Sequence, residues 1–355
     1  MKEYLSASTK PILICGPCSA ESKQQVLQTA KDVKEAGIAW YRAGIWKPRT
    51  RPNNFEGVGE VGLQWLKEIQ QTFSLKVCTE VAKPFHVEEC LKAGVDAVWI
   101  GARTCSNPFS VQEIAESLKG VNNLSILIKN PTTPDTHLWL GAIERIEKAG
   151  VKDIVAIHRG FALENNSMYR QTPLWRIPIE LQRLRRDVKI ICDPSHIAGK
   201  REYVKEIAAC AASIGFAGLM IEVHNNPLQA KTDSAQQLFS NDLKAFLSSI
   251  NFPNNKEITS NELEIYRQEI NDIDKNICNL LSERMNLSKQ IAEIKIAKDM
   301  TVFQPNRWQE VMDKIISISK EQGLNKEFIE EIYNVIHQES IKIQENIVNK
   351  KEVLP

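Results

Sequence analysis

Short apolar runs and amphipathic stretches alternate along residues 11 to about 250. The runs are ILIC (12–15), IAWYRAG (38–44), LKVCTEV (75–81), AVWIGA (97–102), LSILIKN (124–130), IVAIHRG (154–160), VKIICD (188–193) and GLMIEV (218–223). Each is mostly apolar without clean alternation, as in a parallel strand covered on both faces. Between them lie helical stretches such as SKQQVLQTAKDVKEAG, VGEVGLQWLKEIQ and REYVKEIAACAASIG, several of which close on Gly. Eight such units in ~240 residues predict the α/β class and a closed (β/α)8 TIM barrel. An open doubly wound sheet is the alternative.

The pattern changes at SSINFPNNKEITSNE. Asn, Pro and Ser cluster there, so residues 251–260 read as a linker between a barrel over 1–250 and a separate all-α region over 261–355. Three helices are predicted, over about 260–298, 305–322 and 325–349, with Gly323 and Asn325 at the second turn. The sequence TSNE, Thr259 or Ser260 followed by Glu262, is a capping-box pattern for the first helix. A helix of nearly forty residues extends ~58 Å. Its apolar stripe (Leu263, Ile270, Ile273, Ile277, Leu280, Leu287, Ile291, Ile294) is too long to bury within one small domain, which points to a partner chain.

Composition narrows the class only modestly. Apolar content of 43%, charged content of 25% and a net charge of +1 fit a soluble globular protein with no global bias toward nucleic acid or anionic membrane. The N-terminus MKEYLSASTK has no apolar signal core and no apolar run approaches ~18 residues, so a cytoplasmic protein is expected. Eight scattered cysteines do not resemble a secreted disulfide framework.

One pair of cysteines stands apart. ICGPCSAES (14–22) has the spacing of a dithiol redox site or half a zinc site. A thioredoxin-type dithiol places its second cysteine inside the helix opened by the first. Here Ile14 and Cys15 close the first strand and SAES leads into a helix. The motif therefore divides: Gly16 and Pro17 turn the chain, Cys15 packs, and Cys18 is free for chemistry. A Cys15–Cys18 disulfide that removes Cys18 from service is the one redox alternative.

In a barrel of this kind, functional groups sit at the C-terminal ends of the strands. Those ends carry Cys18; KPRT with Lys47, Arg49 and Thr50; Glu80; Arg103; Lys129; Arg159; Asp193 and His196; and Glu222, followed by Asp233. Cys18, His196, Glu222 and Asp233 read either as a mixed thiolate, imidazole and carboxylate set suited to Mn, Fe, Co or Zn, or as a buried Cys with surface acids. Arg49, Arg103, Lys129 and Arg159 at one mouth suit a strongly anionic substrate carrying phosphate and carboxylate.

With GPCSAES, KPRT, GAR, DPSH and EVH followed by Asp233, residues 10–245 resemble 3-deoxy-D-arabino-heptulosonate 7-phosphate (DAHP) synthase of the shorter, type I-beta branch. The resemblance implies condensation of phosphoenolpyruvate with erythrose 4-phosphate, giving DAHP and phosphate. It implies a divalent metal held by Cys18, His196, Glu222 and Asp233, and phosphoenolpyruvate held by Arg103, Lys129 and Arg159. Pro48, Arg49 and Thr50 would bind erythrose 4-phosphate, with Lys47 near the reacting centre. Glu80 would position or deprotonate the attacking water, or pair with a nearby Arg. The competing family, 3-deoxy-octulosonate 8-phosphate synthase, typically replaces KPRT, which is intact here.

Residues 261–347 resemble the all-helical chorismate mutase family, on Arg267, Arg284, Lys295, Arg307 and Gln344. At ~100° per residue Arg284 and Lys295 share a stripe ~16 Å long, while Arg267 lies ~26 Å from Arg284 and about 100° round. Arg267 could serve the equivalent site of a partner, which agrees with the intertwined homodimer the family implies. The reaction would be chorismate to prephenate, with Arg267 and Arg284 on carboxylates and Lys295 and Gln344 donating to the ether oxygen. Where many members place acids near the substrate hydroxyl, this chain has Gln304 and Trp308. Gln accepts hydrogen bonds but indole only donates, so weakened turnover is conceivable. Two readings follow: a bifunctional shikimate-pathway enzyme of aromatic amino acid biosynthesis with feedback control, or a synthase whose helical domain is mainly a regulatory, dimerising sensor.

Overall fold

The computed structural model describes residues 4–47, 54–163, 168–253 and 261–352, apart from the side chains of 261–263, 265 and 350–352. Pro48, Arg49, Thr50, most of the linker, and the capping residues Thr259 and Ser260 lie outside the described residues. The chain divides into two compact units, Met1–Asn255 and Lys256–Pro355.

The first unit is a closed parallel barrel. Its strands are β1 (Ile12–Gly16), β2 (Trp40–Arg42), β3 (Lys76–Val81), β4 (Ala97–Ile100), β5 (Ser125–Lys129), β6 (Ile154–His158), β7 (Lys189–Cys192) and β8 (Gly218–His224). They pair in sequence order, and β8 returns to β1 through five register pairs from Ile12↔Gly218 to Gly16↔Glu222. The helices are α1 (Lys23–Glu35), α2 (Val61–Phe73), α3 (Pro84–Ala93), α4 (Ala102–Cys105), α5 (Pro108–Ser117), α6 (Thr136–Lys148), α7 (Arg176–Leu184), α8 (Pro194–Ala198), α9 (Arg201–Ser213) and α10 (Leu243–Ser248). Side-chain oxygens cap several of them: Ser22 accepts from Gln25 N and Asp135 from Leu138 N.

Strand parity divides the core into two layers. Ile12, Ile14, Trp40, Cys78, Trp99, Leu127, Ile157, Ile191 and Met220 fill the barrel interior. Their neighbours, including Cys15, Val77, Ile126, Ile128 and Ile221, pack outward in the larger cluster under the helices. The base is closed by Leu5, whose N–H, with that of Ser6, donates to the Asp153 carboxylate at 2.8 Å.

Three details depart from the sequence pattern. Strand β2 is shorter than IAWYRAG because its pairing ends at Arg42. One-turn helices α4 and α8 follow β4 and β7. A two-residue strand, β9 (Leu238–Phe239), pairs with Val223 and His224 of β8 and anchors the segment carrying Asp233, Gln236 and Gln237.

The second unit has three helices, α11 (Asn261–Ala297), α12 (Pro305–Glu321) and α13 (Lys326–Glu352), with α13 packed on both others. Among the described residues it buries only three apolar side chains, Ala292, Met312 and Ile329. Six of the large apolar residues on the α11 stripe remain half exposed or more, from Ile277 at 50% to Leu280 at 64%, and Ile291 is 45% exposed. No described helix is long and apolar enough to cross a membrane.

Candidate active sites

The parity that buries Ile14, Trp40, Trp99, Leu127, Ile157, Ile191 and Met220 inside the barrel also turns the residues two positions further on toward its mouth. Gly16, Arg42, Gly101, Lys129, Arg159, Asp193 and Glu222 occupy those positions. Gly16 has φ +154°, and a Cβ there would lie 2.0 Å from the Arg42 carbonyl oxygen, so only glycine lets β1 approach β2 this closely. The chain then turns and delivers Cys18.

Cys18, Glu222 and Asp233 bring one donor atom each to within 4.8 Å of one another. The Cys18 thiol donates to Asp233 Oδ2 at 3.2 Å, and Glu222 Oε2 accepts from Gln236 Nε2 at 2.7 Å. His196 reaches the same group, with Nε2 3.7 Å from Glu222 Oε1, while its Nδ1 lies 2.8 Å from Asp193 Oδ2. A carboxylate behind an imidazole is the usual way to aim the other ring nitrogen at a cation. Burial first, then the Glu222 charge, pushes the Cys18 pKa up to about 12. Asp233 adopts φ +48°, a left-handed conformation unfavourable outside glycine. This donor set fits a divalent cation: a mixed thiol, imidazole and carboxylate cluster with two acidic groups crowded together.

Arg42 lies behind the cluster, fully buried; Nη2 is 3.0 Å from Glu222 Oε1 and Nη1 is 3.9 Å from Asp193 Oδ2. Its guanidinium carbon is 4.8 Å from the centre of the Trp99 ring. Burial opposes its charge, but Glu222 and Asp193 outweigh that and hold its pKa above the ordinary value. Arg42 was not assigned a role from sequence. The signal was a lone Arg at the interior parity of an apolar run.

A cavity of about 270 Å³ opens above, lined by Lys47, Glu80, Arg103, Lys129, Arg159 and Arg170 among others. Lys129 Nζ is 2.7 Å from Asp193 Oδ2. Arg159 Nη1 donates to Gln171 Oε1 at 2.8 Å. Burial lowers the Arg159 pKa to about 10 against the pull of Asp193, with the Arg170 and Arg103 charges adding to the fall. Glu80 Oε2 lies 4.0 Å from Lys47 Nζ, and Gly101 makes room for the carboxylate, since a Cβ there would lie 2.1 Å from Glu80 Oε1. Arg170, which no motif flagged, donates to Asp233 Oδ1 and Gln236 Oε1, both at 2.8 Å.

In the helical unit Arg284 Nη1 donates to Ser340 Oγ, and Lys295 Nζ donates to Gln344 Oε1 at 3.1 Å and to the Val302 carbonyl. These two pairs join α11 to α13. Arg267 and Arg307 stand outside it, exposed and paired within their own helices to Glu264 and Glu310. Gln304 is the N-cap of α12, without a side-chain cap bond.

A family model described as DAHP synthetase I family matches residues 5–255. The chain belongs to the DAHP synthetase I family. A second model, chorismate mutase type II, matches residues 266–345. A phospho-2-dehydro-3-deoxyheptonate aldolase of Thermotoga maritima is 30% identical over 226 residues, covering 64% of each chain. A 2-dehydro-3-deoxyphosphooctonate aldolase of Fusobacterium nucleatum is 27% identical over 254 residues, covering 66% of this chain and 87% of its own. The crystal structure of the T. maritima DAHP synthase superposes with a TM-score of 0.59 at 27% identity, over 66% of each chain. The chain thus spans just under two thirds of the length of that relative.

Proposed function

We propose that this member of the DAHP synthetase I family is a bifunctional enzyme, condensing phosphoenolpyruvate with erythrose 4-phosphate in the barrel and converting chorismate to prephenate in the helical unit. The observation that carries the barrel reading is one mouth joining the Cys18–Glu222–Asp233 donors to two cations, the buried Lys129 and the half-buried Arg159. Arg103, Lys129 and Arg159 hold the phosphate and carboxylate of phosphoenolpyruvate, and Pro48, Arg49 and Thr50 hold erythrose 4-phosphate. Cys18, His196, Glu222 and Asp233 would hold a divalent cation. The chemistry a bound cation supplies is Lewis acidity toward the aldehyde oxygen.

With both anions oriented, C3 of phosphoenolpyruvate forms the new bond to the aldehyde carbon, the C=O π pair moves to the aldehyde oxygen, which takes up a proton, and C2 becomes electron-poor. Lys47 stands beside the reacting centre. Water adds at C2, giving up a proton to Glu80, and the phosphohemiketal expels phosphate as its C2 hydroxyl loses a proton and becomes the ketone. The intact KPRT motif favours the four-carbon aldehyde over the substrate of octulosonate-type relatives.

In the helical unit Arg284 binds a carboxylate, and Lys295 with the Gln344 amide N–H stabilises negative charge on the ether oxygen in the transition state. Arg267 of a second copy completes the carboxylate contacts, and Arg307 is a further candidate binding residue. The exposed α11 stripe supports a homodimer through this unit, and feedback by chorismate or prephenate would act through it. A cytoplasmic site fits both activities.

Full-length protein assayed for both reactions tests this. Chelation is expected to abolish the synthase, added metal to restore it, and mutase turnover to continue throughout. Synthase turnover that survives complete metal removal would sink the metal assignment. Absence of mutase turnover, with prephenate still inhibiting the synthase, would leave the sensor reading.

A further inference from the structure

Helix α13 carries three polar residues on one stripe: His337, Ser340 and Gln344, three and four positions apart. Ser340 and Gln344 already meet Arg284 and Lys295. His337 differs. Its ring stacks on Trp308 of α12, with 3.8 Å between centroids and 11° between planes, and Phe303 approaches it at 5.9 Å. Its Nε2 is buried and has no hydrogen-bond partner among the described residues. Burial lowers its pKa, and the Arg284 and Lys295 charges lower it further, so the imidazole is neutral at pH 7 and keeps one nitrogen as an acceptor.

We propose that His337 is a substrate-binding residue of the helical unit, its Nε2 accepting a hydrogen bond from the ring hydroxyl of chorismate. This rests on the mutase reading. A buried polar atom left unpaired is costly, and a substrate hydroxyl would satisfy it. Trp308 stands where an acid is common in the family, and its indole cannot accept a hydrogen bond. Here the indole instead becomes the platform that orients His337. A neutral imidazole supplies an acceptor without adding negative charge to a pocket that must hold a dicarboxylate.

The test uses full-length protein and two substrates, chorismate and an analogue lacking the ring hydroxyl. His337→Phe keeps the stacking surface and removes the acceptor, whereas His337→Gln restores one. With chorismate, kcat/KM should fall about tenfold in H337F and partly recover in H337Q. With the deoxy analogue, wild type and H337F should be equal. An equal fall on both substrates makes His337 a packing group and overturns the proposal, as does an H337F enzyme matching wild type on chorismate. A wild-type protein that neither turns over nor binds chorismate overturns the mutase reading itself, a result distinct from an active wild type matched by H337F.

Discussion

The barrel and the helical unit manage charge and apolar surface in opposite ways. The barrel buries two layers of apolar side chains and then places Arg42, Lys129, Asp193 and Glu222 on top of them, each buried. Among its described residues the helical unit buries three apolar side chains and leaves Ile270, Ile273, Ile277 and Leu280 exposed. Charges can be held in the dry interior of the barrel because a closed sheet fixes both partners of every pair. In the helical unit two polar pairs form between the helices, beside an apolar stripe that the single chain leaves exposed.

The largest break in this comparison should come from Arg42→Ala. It leaves Glu222 and Asp193 facing each other without their buried partner, which is expected to cost about 3–5 kcal/mol. Denaturant unfolding should register the loss in the barrel transition, and metal titration should show weaker uptake even where the fold persists. Leu280→Asp attacks the other side. Under the proposed homodimer it should shift the protein to monomers in sedimentation and lower mutase turnover on the order of a hundredfold, by removing the Arg267 that the proposal supplies in trans. Synthase turnover should remain.

Acid should sharpen the contrast further. Burial among Phe161, Trp175 and Phe216 lowers the His158 pKa from 6.5 to about 3. The unfolded chain takes up this proton below about pH 6.5, whereas the folded barrel does not until about pH 3, so stability falls as pH drops through that window. The loss approaches about 1.4 kcal/mol for each pH unit. His158→Phe should flatten the melting temperature between pH 6.5 and 4.5, and an unchanged slope would refute the assignment. The smallest effect is expected at Cys15, which lies in the outer apolar layer. Cys15→Ala should leave metal uptake and synthase turnover unchanged, whereas Cys18→Ala should abolish both.

The barrel was legible because apolar runs of strand length, bounded by turns, recur eight times, and because several runs end on a charged residue at their last inward position. Strand ends therefore named Lys129, Arg159 and Glu222 without coordinates. Arg42 and its ties to Asp193 and Glu222 were not legible, since they join strands far apart in sequence through the barrel centre. The two-residue strand β9 is too short to leave a periodic signal, and Arg170 owes its position to the same segment. In the helical unit, spacing set Arg284 and Lys295 on one stripe of α11. That His337 lies on Trp308 depends on how α12 and α13 pack, which no single-helix periodicity contains.

The closure of β8 onto β1 has a consequence for biogenesis. Those five register pairs join residues about two hundred positions apart, so a nascent chain leaving the ribosome carries β1 as an unpaired edge until most of the barrel has been translated. The sticky helices are encoded after that seam. Their emergence only once the barrel can close keeps the two exposed surfaces, the open strand edge and the apolar helix face, from being presented at the same time.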